Sequence, residues 1–197
     1  MSVSNRTSII IWRRANGWRG WMGRRSDFKR RKNDLYRTFD PRAVASLLPH
    51  LGPFVGFYEP CAGDGVLVDQ LEAAGHLCVY QADIDPLADG IEQADAFDLT
   101  GIPDGAIVIT NPAWSRPILH PLIIHLSDLA PTWLLFDAAW LFTKQSRPFR
   151  SRLQKVVAVG RLRWIEGTDH DAKDDCAWYL FDRPEPDNVP LFYMRAD

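Results

Sequence analysis

The sequence predicts an α/β fold: a Rossmann-like, doubly wound, mostly parallel sheet carrying a C-terminal antiparallel hairpin. Two observations carry that expectation. Short apolar runs alternate with helix-length spacers through the middle of the chain, the pattern of a parallel sheet covered on both faces. The first of those runs also empties into a glycine loop followed by a helical pattern, the opening of a ligand-binding α/β unit.

Asp40-Pro41 reads as a helix start, a carboxylate N-cap followed by Pro at the first helical position, leading into residues 43–48 and stopping at Pro49. Residues 54–58 form the first strand and discharge into Glu59-Pro60-Cys61-Ala62-Gly63-Asp64-Gly65, ahead of the helical spacing Val66, Leu67, Leu71. Residues 77–82 form a second strand ending at Asp83-Ile84-Asp85. Residues 106–110 form a third and 133–136 a fourth. Beyond them, 156–159, 176–181 and 190–193 offer strands without long helices between, as a terminal hairpin requires. Arg183-Pro184-Glu185-Pro186 reads as a surface loop.

With 197 residues, 46% hydrophobic and 24% charged, the chain can bury a core, which excludes a disordered tail or a small disulfide scaffold. The net charge of −2 hides an asymmetry: 11 − 2 = +9 up to Arg37 and 12 − 23 = −11 from Thr38 onward. Residues 1–37 are therefore expected to be a basic, flexible arm, and 38–197 the catalytic domain. The arm interleaves Trp12, Trp18 and Trp21 with arginines, a composition suited to a polyanionic partner. Cys61, Cys78 and Cys176 are odd in number and widely spaced, indicating neither a disulfide framework nor a zinc site, and a reducing cytoplasm is expected. The longest apolar stretches are interrupted by His120, His125 and Asp137, so no membrane span is expected.

The loop Ala62-Gly63-Asp64-Gly65 departs from the G-x-G-x-x-G of a pyrophosphate cradle, which favours a ligand without phosphates. Glu59 and Asp64 would repel a phosphate and welcome a cation. Asp83 tips the second strand, the position from which a carboxylate takes both hydroxyls of a ribose. Asp95, ahead of Ala96 and Phe97, offers an acceptor for an adenine amine beside an aromatic face. Together these describe an adenosine carrying a positive centre, which is S-adenosylmethionine.

The third strand runs into Asn111-Pro112-Ala113-Trp114. With this tetrapeptide the sequence resembles the class I S-adenosylmethionine-dependent methyltransferases that methylate the exocyclic N6 of adenine in DNA, in particular short phage and bacterial members. Residues 59–65 look like the family's cofactor loop, Asp83 its ribose acid, Asp95 its adenine acid and 111–114 its catalytic N-P-P-[YFW] motif, with Ala113 in place of the second proline. Thr38 falls in a segment resembling the one that reaches the methionine end. The resemblance implies cofactor contacts from Thr38, Glu59, Cys61, Ala62, Gly63, Asp64, Gly65, Asp83, Ile84, Asp95 and Ala96. It implies Asn111 and Pro112 as acceptors for the two amine hydrogens, and Trp114 stacked on a base withdrawn from its duplex. Such chemistry calls for neither metal nor covalent intermediate.

Lys144, Arg147, Arg150, Arg152 and Arg163 lie in an acid-free stretch expected to flank the catalytic edge, and are assigned to nucleic-acid phosphates. Trp164 and Trp178 are assigned to packing. DNA is the expected acceptor. RNA adenine, a protein glutamine amide, or a non-catalytic nucleic-acid-binding or decoy role are the alternatives. Only 197 − 181 = 16 residues follow Phe181, so target recognition is expected to be loop-borne or supplied by a partner.

Overall fold

The computed structural model describes residues 37–167 and 169–194. The arm assigned to 1–37 therefore lies, except for Arg37, outside the described residues. The sheet has eight strands in the order β3-β2-β1-β4-β5-β7-β6-β8. These are β1 (Gly56–Glu59), β2 (Leu77–Asp83), β3 (Glu92–Gln93), β4 (Ile107–Thr110), β5 (Thr132–Asp137), β6 (Leu153–Gly160), β7 (Cys176–Phe181) and β8 (Leu191–Tyr193). Strands β3 to β5 pair in parallel around β1. β7 runs antiparallel between β5 and β6, and β8 is parallel to β6. The expected hairpin is present as β6 and β7, but the sheet edge beyond it is formed by β8.

The central strands are apolar on both faces because helices cover both. α1 (Arg42–Leu47) and α2 (Val66–Ala73) lie on one face, and α3 (Arg116–Leu129) on the other. Alternate residues sort accordingly: Phe57, Ile109, Trp133, Leu135 and Trp178 join the α1 and α2 core. Tyr58, Val108, Leu134, Phe136 and Tyr179 join Leu119, Leu122, Ile123 and Leu126 of α3. The buried Trp178 indole donates to the Ala43 carbonyl at 2.8 Å, tying β7 to α1.

Two local expectations are revised. Helix α1 does not stop at Pro49 but tightens into a 3₁₀ turn over Leu48–His50, because Pro is tolerated at the start of a turn whose N–H needs no partner. The spacer between β2 and β4 is not a helix: it holds only β3 and the 3₁₀ turn Ala96–Asp98. The spacer between β5 and β6 is likewise built from 3₁₀ turns, Ala138–Phe142 and Lys144–Phe149. In α3, Pro117 occupies the first turn without cost, while Pro121 removes one interior donor.

The chain leaves β1 for β2 on one side and returns to β4 on the other. The carboxyl ends of β1 and β4 therefore flank the switch point of the sheet, where open α/β sheets hold ligands.

Candidate active site

At the switch point Glu59 ends β1 and Thr110 ends β4, and the Thr110 hydroxyl donates to Glu59 Oε1 at 2.7 Å. Glu59 is 1% exposed, and its Oε2 has no hydrogen-bond partner. Burial pushes its carboxyl up to about 8, against the opposing hydrogen bond from Thr110 and with help from the charge of Asp83. The expectation of a standing negative charge at Glu59 is thereby corrected: desolvation favours the neutral acid near pH 7.

The glycine loop that follows is fixed from both sides. Gly63 takes φ +58°, a conformation an L side chain rarely adopts, and a Cβ there would project into open space. Its N–H donates to Asp83 Oδ2 at 2.8 Å and its carbonyl accepts from Leu87 at 2.8 Å. Asp83 also accepts from the Asp85 N–H at 2.8 Å through Oδ1. Both oxygens of this buried carboxylate therefore hold loop backbone, and each keeps a further lone pair toward the cleft. Asp64 differs from its expected role as an unpaired charge. Arg37 forms an ion pair with it through Nε, and Arg37 Nη1 also reaches Glu166 at 2.8 Å. Arg37, allotted by its charge to the arm, is thus attached to the cofactor loop.

The loop, the ends of β2 and β4, and the start of α3 enclose a cleft of about 260 Å³. Of the residues assigned to a cofactor, Thr38, Glu59, Cys61, Ala62, Gly63, Asp64, Asp83, Ile84, Asp95 and Ala96 line it, and Gly65 does not. Gly65 instead precedes α2 at φ +80°. Asp95 caps the 3₁₀ turn at Ala96–Asp98, accepting from the Phe97 N–H at 3.0 Å. Ile84, Leu87 and Phe97 are exposed apolar side chains on the same wall. Burial raises the Cys61 thiol well above its usual range, so it is no nucleophile near neutral pH. Among the described residues no group of three or more His, Cys, Asp or Glu could hold a metal ion, and no helix is long and apolar enough to cross a membrane.

Asn111 and Ala113 line the opposite wall, while Pro112 is buried and Trp114 half-buried behind it. The Asn111 amide is held at both ends. Nδ2 donates to Thr38 Oγ1 at 2.9 Å, and Oδ1 accepts from the Trp114 indole at 3.0 Å. The same indole donates to the Leu135 carbonyl at 3.1 Å, and its ring meets Trp164 edge-on with centroids 5.6 Å apart. Trp164, read from sequence as packing, packs against Trp114 of the Asn-Pro-Ala-Trp tetrapeptide. Thr38 is anchored in turn, its carbonyl accepting from Gln70 at 2.7 Å.

The five cations assigned to phosphate fall into two groups. Lys144, Arg147 and Arg150 are exposed on the 3₁₀ segment after β5, and none forms an ion pair among the described residues. Arg152 is largely buried, donating to Asp128 at 2.7 Å and Ser127 at 2.9 Å. Arg163 lies 3.7 Å from Asp40. The expectation that Arg152 faces phosphate is therefore corrected: an acid-free stretch of sequence had no way of showing that Asp128 of α3 would occupy it. Sequence reasoning also missed Leu87, Ile118 and Leu122 at the cleft. Only the last two carried a signal, an i, i+4 apolar pair directly after the Asn-Pro turn.

Three solved structures share this fold. A class I S-adenosylmethionine-dependent methyltransferase assigned in Listeria monocytogenes superposes with a TM-score of 0.50 at 11% identity, over 84% of this chain and 67% of that one. The fold is that of the class I methyltransferases. A Pyrococcus horikoshii protein assigned as an RNA methyltransferase gives a TM-score of 0.54 at 18% identity, over 80% of this chain and 93% of that one. The methyltransferase subunit of a type I restriction-modification system from Streptococcus thermophilus gives 0.52 at 11% identity, over 81% of this chain and 47% of that one. This chain thus spans about half the length of the type I subunit. No family model matches the sequence, and no curated protein matches it.

Proposed function

We propose that the chain transfers a methyl group from S-adenosylmethionine to the exocyclic N6 of adenine in DNA. The observation that carries this reading is the placement of Asn111 in the wall of the same cleft that holds Asp83, Asp95 and the glycine loop. The residues fit the cofactor. The buried Glu59 Oε2 is a polar atom without a partner, Gly63 leaves open space where a side chain would intrude, and Asp83 retains lone pairs for a ribose. Ile84, Leu87 and Phe97 supply apolar surface for an adenine, with Asp95 and Ala96 at its edge.

When bound, the cofactor supplies an electrophilic methyl on a sulfonium. The chain's own task is to present the amine. An aromatic amine is a weak nucleophile because its lone pair is delocalised into the ring. The second lone pair of Asn111 Oδ1 and the Pro112 carbonyl each accept one amine hydrogen, drawing the nitrogen toward tetrahedral geometry and aiming its lone pair along the S–CH₃ bond. Held by Asp83, Asp95 and the glycine loop, the cofactor would supply the methyl group to the amine nitrogen and retain its sulfur as a neutral thioether, and the amine's surplus proton would pass to water. Trp114 and Trp164 offer aromatic surface behind the motif for a base taken out of its stack. Lys144, Arg147 and Arg150 meet the backbone phosphates, and the basic arm adds sequence-independent affinity.

RNA adenine is the second reading, favoured by the likeness to a protein of comparable length assigned to RNA. Incubation with isotopically labelled S-adenosylmethionine and either DNA or RNA, followed by nucleoside mass spectrometry, tests both. Labelled N6-methyladenine from DNA, lost in Asn111→Ala, is the expected result. Label in neither nucleic acid refutes the reading.

A further inference from the structure

We infer that Trp114 acts as a positioning residue through its indole N–H, which together with the Thr38 hydroxyl locks the Asn111 amide with its oxygen available to the target amine. The inference rests on the proposed methyl transfer. It departs from a purely stacking role, because it assigns the function to one N–H group rather than to the ring face.

An asparagine side chain is nearly the same shape after a 180° turn of its amide, yet only one orientation serves the reaction. With oxygen forward it accepts an amine hydrogen. With NH₂ forward it confronts the amine with a second donor. The Thr38 hydroxyl does not choose between them, since a hydroxyl both donates and accepts. The indole does choose, because it donates only. With Trp114 Nε1 at 3.0 Å, the neighbouring Asn111 atom must be the oxygen, and the turned amide would set two donors against each other. Nδ2 then falls to Thr38 at 2.9 Å. The indole is itself anchored: it shares its proton with the Leu135 carbonyl within β5, and its ring meets Trp164 edge-on. The carbonyl alone would satisfy a half-buried indole, so the second acceptor is not needed for the tryptophan's own sake. It fixes Asn111 to the sheet, while Gln70 fixes Thr38 to α2.

The test replaces the N–H and keeps the ring. Benzothienylalanine at position 114 has sulfur in place of the indole N–H at nearly the same shape. The kcat for methyl transfer is expected to fall about 10- to 100-fold, with cofactor affinity and the KM for nucleic acid within about twofold of wild type. A kcat within about twofold of wild type overturns the inference. A second measurement needs no turnover: in the cofactor-free protein the Trp114 indole proton should exchange with D₂O at least about tenfold more slowly than a free indole, and exchange at the free rate overturns the inference too. A slow indole proton in a protein that methylates nothing would instead refute the proposed function and leave the brace standing.

Discussion

Replacing Glu59 by glutamine should make the fold more stable, and by an amount that grows with pH. Glu59 is 1% exposed at the switch point, and its carboxyl lies at about 8 in the folded chain against 4.5 ordinarily. Between those values the folded state holds a proton that the unfolded state has released, so stability falls as pH rises through this window and levels off above about 8. From the two values, the expected penalty grows by about 3 kcal/mol between pH 5.5 and pH 8.5. Glutamine keeps the shape and an acceptor for Thr110 while removing the titration. Urea unfolding of wild type and Glu59→Gln at the two pH values measures the difference directly. A gap between the proteins that does not widen with pH would refute the argument, since it would mean that Glu59 is ionised in the fold as readily as out of it.

Asn111→Ala should abolish methyl transfer while leaving calorimetric affinity for S-adenosylmethionine within a few-fold, because the role proposed for its amide is toward the target amine and not the cofactor. Asp83→Ala should weaken cofactor binding at least about tenfold, since charge-assisted hydrogen bonds of about 1.5–3 kcal/mol each hold Gly63 and Asp85. Lys144, Arg147 and Arg150 changed together to Gln should lower the salt slope of duplex-DNA binding by about 3, whereas Arg152→Gln should leave that slope unchanged and instead reduce unfolding stability. Asp40 is pushed up by burial but held down to about 2 by hydrogen bonds from Arg42 and the Arg163 N–H. Its stabilisation is accordingly present above pH 4 and lost as pH falls toward 2, and Asp40→Asn should remove that acid dependence in thermal scans.

The parallel half of the fold was legible because it is written in local patterns. Apolar runs end in Glu59, Asp83 and Asn111, and the loop glycines follow at a fixed distance, so the sequence alone brought nearly every cleft residue to one end of the sheet. Charge state was not legible. That Glu59 would favour the neutral form, that Arg37 would cover Asp64, and that Asp128 would take Arg152 all depend on contacts across 24 or more residues, or on burial that no local window measures. The spacer after β2 misled for a related reason. Its length suits a helix, but Pro86, Gly90 and the Asp95 cap divide it into turns.

The alanine at position 113 shows how the two levels bear on each other. By sequence, a missing second proline loosens the turn that carries the acceptors, because proline fixes φ and alanine does not. In the fold, Asn111 is held by side-chain hydrogen bonds to Thr38 and Trp114, from elements on either side of it. Each such bond contributes about 1 kcal/mol, and the pair acts on the amide itself rather than on the backbone two residues away. Stiffness lost from the turn is thereby supplied where the reaction uses it. Alanine at 113 also leaves room in the cleft wall that it lines. Ala113→Pro should therefore stiffen the backbone without raising kcat. A large rise in turnover for that variant would show that the turn, and not the side-chain brace, limits the placement of Asn111.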